Sequence, residues 1–199
     1  MENNLTAKLE IPFCLYRPLH PARITQGFGQ NLVPFYKELG IPGHNGIDFV
    51  RPEDTDGANV RAMHSGIVIA TGIDGSGGYA VHVRTRERWS DIEGNPQYWQ
   101  SVYYHLYPDI RVRPGQNVAI GCILGRADNS GKYTTGTHLH IGLKRVAPLA
   151  DGRWKQLDQN NGYFGAVDPL PYLQIVTAYE FKRKYLDPVW NLVAAFQRQ

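Results

Sequence analysis

Five residues of this chain have the types and spacings that metal-assisted hydrolysis uses. His138 and His140 stand two apart in Gly136-Thr137-His138-Leu139-His140-Ile141-Gly142. Successive side chains of a strand alternate between faces, so the two imidazoles share one face while Leu139 and Ile141 take the other. His44 and Asp48 stand four apart in Gly43-His44-Asn45-Gly46-Ile47-Asp48. Glycines permit a short loop there to fold until both side chains converge. His105 closes the strand-like run Ser101-Val102-Tyr103-Tyr104-His105-Leu106. Two imidazoles and one carboxylate around an open fourth position form the donor set of a catalytic zinc rather than a structural one. Such an ion polarises a carbonyl and brings the pKa of a bound water to about 7. The histidines left over are suited to general acid and base work. Spacing alone does not choose between His138 and His140 as the ligand, nor does it place His105 in the same cleft.

The elements that must hold these residues read as strands. Ile24–Gln30 is a short strand broken by glycines, and Val33–Leu39 is a helical turn or a loop. Val60–Gly72 reads as two strands around Ser65-Gly66, and a glycine-rich turn over 74–78 leads into the alternating strand Tyr79–Arg84. Residues 85–100 read as a polar, irregular excursion from the sheet. Val112–Val118 is a strand end and turn, Ala119–Gly125 a short apolar strand, and 128–132 a loop. Residues 147–166 are loop-like, and Asp168–Leu173 is rigid and extended. A helix closes the chain, with Asp187 as N-cap, Pro188 at the first helical position, and Val189, Leu192, Val193 and Phe196 along one face. The expectation is a mainly β fold, a compact antiparallel sheet with a short C-terminal helix. Its parts are an N-terminal extension (1–22), a core domain (23–173) and a helical extension packed on it (174–199).

Composition narrows the function classes. With 199 residues, 42% of them hydrophobic, one domain can bury a sizeable core. No stretch reaches the roughly 18–20 apolar residues of a membrane span, and no basic-then-apolar leader opens the sequence, so neither membrane insertion nor a secretory signal peptide is expected. Cys14 and Cys122 lie far apart without CxxC spacing, which excludes a cysteine-based metal finger and a disulfide framework. A net charge of +3 suits an anionic partner such as a bacterial cell wall and does not by itself suggest nucleic acid.

Gly43-His44-Asn45-Gly46-Ile47-Asp48 resembles the GHxGxD motif of the M23 (LytM/lysostaphin-type) zinc metallopeptidases. Thr135-Gly136-Thr137-His138-Leu139-His140 resembles their TGxHLH motif, and Tyr104-His105-Leu106 their YxHL strand. The three occur in the family's order, and the resemblance covers about residues 23–173. It implies a duplicated-hybrid-motif-like antiparallel fold with a groove over the sheet, and one Zn2+ held by His44, Asp48 and His140. It also implies His105 and His138 as the catalytic pair, and peptidoglycan stem peptides or cross-bridges as substrate. Tyr133 is the expected groove residue that donates to a substrate carbonyl. A monomer made in the cytoplasm and acting on the cell wall, as a phage endolysin does, would reconcile that substrate with the missing leader.

Gly142 departs from the family, which often has an acidic residue there, and 85–100 is longer than the usual hairpin. His20 and His64 read as ordinary surface or partly buried residues, His82 as a residue of the central sheet on the face opposite Val81 and Val83, where it could line the groove, Arg84, Arg86 and Arg88 as a solvated face, and Tyr104 as packing. Two competing readings are a catalytically inactive module of the same fold and a two-histidine, one-carboxylate iron oxygenase. All five positions are intact, which argues against the first. The four-residue spacing within a glycine loop argues against the second.

Overall fold

The computed structural model describes residues 13–181, together with Arg183 and Asp187. Fourteen strands are formed in chain order: β1 (Leu15–Arg17), β2 (Arg23–Gln26), β3 (Ile47–Val50), β4 (Asn59–Arg61), β5 (Gly66–Ile73), β6 (Tyr79–Arg84), β7 (Trp89–Ser90), β8 (Pro96–Leu106), β9 (Asn117–Val118), β10 (Ile123–Arg126), β11 (Leu139–Pro148), β12 (Trp154–Gln156), β13 (Ala166–Val167) and β14 (Leu173–Thr177). Two short helices, α1 (Phe35–Leu39) and α2 (Ala178–Phe181), accompany them. The fold is mainly β and its central sheet is antiparallel, in the order β2-β3-β11-β8-β6-β5-β9.

Alternation divides this sheet into two faces. Leu139, Ile141 and Leu143 on β11 point to the core with Phe49, Val81, Val83 and Tyr103. Val60 and Leu124, from the β4–β10 pair, join the same cluster, as do Phe13, Leu15 and Leu19. Phe13 stacks flat on Trp99, with ring centroids 4.8 Å apart. Burying side chains of this size stabilises the fold by about 1.5–3 kcal/mol each. The segments on either side of the 23–173 region meet, because β1 pairs with β14 in parallel. The opposite face of the sheet is left to a groove.

Several expectations are corrected. The polar stretch before Ser101 is an irregular excursion only as far as Asn95, broken by β7: β8 starts at Pro96, and Tyr98–Gln100 pair with β11. The loop-like 147–166 region carries β12 and ends at β13, both paired with β11. Leu170–Tyr172 is a turn of 3-10 helix rather than extended chain. Arg84 is half-buried rather than part of a fully solvated face, its guanidinium lying 3.5 Å from the centroid of the Trp154 ring. The expected terminal helix, with Val189, Leu192, Val193 and Phe196, lies outside the described residues.

His64 is a core residue rather than a turn histidine. It is 5% exposed, its Nδ1–H donates to the Ser65 carbonyl at 3.0 Å, and its Nε2 lies 2.7 Å from Ser101 Oγ. Burial pulls its pKa down to about 4, the Ser65 carbonyl working the other way. The folded state therefore keeps His64 neutral while the unfolded chain binds a proton below about 6.5. Stability should fall by about 3 kcal/mol from this group as pH drops from about 6.5 to 4. Urea melts across that window check it, because His64→Gln should flatten the slope. An unchanged slope would remove His64 from the account.

Candidate metal centre

The site is one row across the sheet. Register sets Asp48 opposite His140 and His140 opposite Tyr104, so β3, β11 and β8 each place one side chain on the groove face. Asp48 stands on β3, while His44 precedes it in a loop closed by two backbone bonds, Gly29 N–H to the His44 carbonyl and His44 N–H to the Gln30 carbonyl. His138 forms a single bridge with Asp128 just before β11, which keeps it on the face of His140.

His105 arrives by another route. Tyr79 pairs with Leu106 and Val81 with Tyr103, so β8 has one residue more than β6 over that span, a bulge. His105 takes it up with φ of 60°, a left-handed conformation that is strained for a side chain larger than glycine. Alternation breaks there, and the consecutive residues Tyr104 and His105 both line the groove. The reading of Tyr104 as mere packing is corrected by this geometry.

Three donor atoms converge. His44 Nε2 lies 3.1 Å from Asp48 Oδ1 and 2.8 Å from His140 Nδ1, and His140 Nδ1 lies 3.2 Å from Asp48 Oδ1. All three residues are buried, and this is the one such group among the described residues. Because a carbonyl only accepts, His44 Nδ1 must carry the proton it gives to Gly27 at 3.1 Å. That leaves Nε2 of the neutral ring as an acceptor, facing a carboxylate oxygen that is also an acceptor. Two buried acceptors this close need a proton or a metal cation between them, and a metal ion answers all three converging donor atoms at once. Zinc at about 2.0–2.1 Å from each of three tetrahedral ligands would set the ligand atoms about 3.3 Å apart, so the donor set fits. Burial alone would raise the Asp48 pKa. Hydrogen bonds and charge from His140 and His44 outweigh it and hold the carboxyl far below the usual range.

The same carbonyl logic fixes the other two rings. His105 Nδ1–H donates to Ser130 at 2.6 Å and His138 Nδ1–H to Gly136 at 2.7 Å, so each neutral ring keeps Nε2 as its free base. The two rings are 4.6 Å apart, and His138 Nε2 lies 3.7 Å from Asp48 Oδ2. Burial, then the charges of His138 and His140, lower the His105 pKa to about 3.

Tyr133 lines the groove with its ring 5.3 Å from Phe35, and its hydroxyl accepts from Lys132 at 3.0 Å. Sequence reasoning passed over Tyr36, whose hydroxyl accepts from Gln26 Nε2 at 2.8 Å and whose ring lies 5.9 Å from His44. It also passed over Asp74 and Lys144 on the groove wall.

Gly46 shows why the His44 loop needs its glycine. A Cβ there would lie 2.3 Å from the Ile141 carbonyl oxygen and 2.7 Å from the His140 ring. Gly46→Ala should push His140 out of the triad. An expected loss of zinc affinity of at least about tenfold follows, since displacing a ligand costs no less than disturbing its support. Titration against a competing chelator checks it, and unchanged affinity would reject it.

A model of peptidase family M23 matches residues 42–158. No curated protein sequence matches the chain. Among solved structures, LytU is 28% identical at a TM-score of 0.52, over 76% of this chain and 83% of that one. The catalytic domain of the antimicrobial peptidase lysostaphin from Staphylococcus simulans is 23% identical at 0.52, over 77% and 92%. A zinc-containing peptidase from Vibrio cholerae is 24% identical at 0.51, over 80% of this chain and 41% of that one. The last two likenesses concern the fold.

Proposed function

Because this chain belongs to peptidase family M23, we propose that it is a zinc-dependent endopeptidase hydrolysing peptide bonds of bacterial peptidoglycan. The observation that carries the reading is the buried triad of His44, Asp48 and His140, whose ligand atoms lie within 4.8 Å of one another, with two further imidazoles beside it. The zinc-containing Vibrio cholerae neighbour supports the choice of metal.

His44 Nε2, Asp48 Oδ1 and His140 Nδ1 would hold the ion, which would supply Lewis acidity to the scissile carbonyl and acidify water. His105, kept neutral and fixed by Ser130, accepts the proton of the attacking water at Nε2. His138, fixed by Gly136, accepts the second O–H of that water at Nε2 and so orients it, and it passes that second proton to the leaving amine as the C–N bond breaks. Asp48 Oδ2 lies 3.7 Å from His138 Nε2, on the side where the proton is held. The Tyr133 hydroxyl, which accepts from Lys132, still has its own hydrogen to give a substrate carbonyl.

Purified protein incubated with cell walls should release new amino groups, and a chelator should stop the release until zinc is restored. No release with zinc present would sink the enzyme reading and leave an inactive cell-wall-binding module. Activity that survives complete metal removal would sink the zinc assignment.

A further inference from the structure

Two opposite charges face the groove away from the metal ligands and do not meet. Asp74 opens the turn between β5 and β6. Its Oδ2 accepts from the Tyr104 hydroxyl at 2.6 Å and from His82 Nε2 at 2.8 Å. Among the described residues no hydrogen bond reaches Oδ1, and the side chain is 44% exposed. Lys144 lies on β11, on the face of His140 and Gly142, and its Nζ donates to Gln156 Oε1 at 2.8 Å. That partner is neutral and leaves two N–H groups, and Lys144 forms no ion pair among the described residues. Burial draws the Lys144 pKa below the ordinary lysine value while the Asp74 charge opposes it, so the two groups feel one another across open groove.

The floor beside Lys144 is clear. Nothing lies closer than 3.8 Å to a Cβ built at Gly142, so a Cβ would fit there, and glycine leaves that space between His140 and Lys144 open. An acidic residue at 142 would stand two along from Lys144 on the same face, within reach of pairing with it. Glycine leaves the lysine free for a ligand.

We propose that Asp74 and Lys144 form a subsite for a zwitterionic amino-acid group, an ammonium and a carboxylate on one carbon, carried by the peptide substrate. A ligand of one charge would answer one wall and leave the other unpaired. A zwitterion answers both, with its ammonium on Asp74 Oδ1 and its carboxylate on Lys144 Nζ. Lys144 is four residues, about 13 Å of strand, from His140, so the group belongs to a residue flanking the scissile bond. The free end of a diamino-dicarboxylic acid side chain in a stem peptide has this chemistry, and a neutral glycine bridge does not. The inference rests on the peptidase reading and names its substrate class.

The test is a panel of four cross-linked peptides, identical except that the flanking group is free, amidated at the carboxylate, acylated at the amine, or blocked at both. The zinc-loaded enzyme should cut the free peptide with a kcat/KM about tenfold above either singly blocked one, mainly through KM. Lys144→Met should erase the penalty for amidation and keep the penalty for acylation, and Lys144→Arg should show both penalties. Asp74→Asn should show the mirror pattern. Wild-type rates within twofold across the four peptides would overturn the subsite while leaving the peptidase intact, and this result needs no variant to fold. A Lys144→Met enzyme that keeps the amidation penalty would overturn it as well. Failure to cut any of the four would reject the peptidase reading and the subsite with it.

Discussion

Asp48→Asn is expected to leave the protein without bound zinc and with less than about one thousandth of its cell-wall activity. Asp48 supplies the only negative charge in the triad, and the Asn amide keeps its shape but not that charge. Disturbing residues that merely support a ligand costs about 10–100-fold in metal affinity, so removing a ligand should cost more than about 100-fold. Lewis-acid catalysis is worth several kcal/mol of barrier, and each 1.36 kcal/mol is about tenfold in rate. Metal analysis after dialysis and an amine-release assay check the two halves separately. The fold should survive, because Ile47 and Phe49 on either side hold β3 in the core. An Asp48→Asn protein that retains one zinc per chain and cuts cell walls would show that the triad is not the metal site.

The parts of this site that were legible in the sequence are those on regular strands. His138 and His140 share a face because β11 alternates without interruption, and Leu139 and Ile141 are fully buried on the other. The order of the glycine-bounded motifs along the chain is that of the family. His105 was legible only through the resemblance. Its position depends on a bulge against β6 and on a left-handed backbone, and neither has a local signal in Tyr103-Tyr104-His105. Strict alternation would have sent Tyr104 and His105 to opposite faces. His64 was misjudged for a related reason. Next to Ser65-Gly66 it looks like a turn residue, but Ser101, distant in sequence, supplies its partner and Phe13 covers its ring at 5.5 Å. Asp74 was read as part of a turn, which it is. Its place on the groove comes from Tyr104 and His82, which reach it from β8 and β6.

His105→Ala and His138→Ala should each lower kcat about 10²–10⁴-fold, the usual worth of a positioned acid or base, while zinc content stays at wild-type level. That separation distinguishes proton-transfer residues from ligands, since Asp48→Asn loses both properties. His105 is the more constrained of the two. Its Nδ1–H is held by Ser130 at 2.6 Å and its ring is buried, so the neutral base is ready before substrate arrives. Alanine at 105 would also keep the left-handed φ, a conformation without a ring to position. Asn, which tolerates that region well, is therefore the better control for strain. His105→Asn should fold as stably as the wild type and remain inactive. If the two histidines act on one proton path, the double variant should lose little more than either single one, because groups that work as a unit are not additive. Fully multiplicative losses would show that the rings act on separate steps. Retained kcat in His105→Asn would remove His105 from the reaction and leave His138 as the sole proton-transfer group.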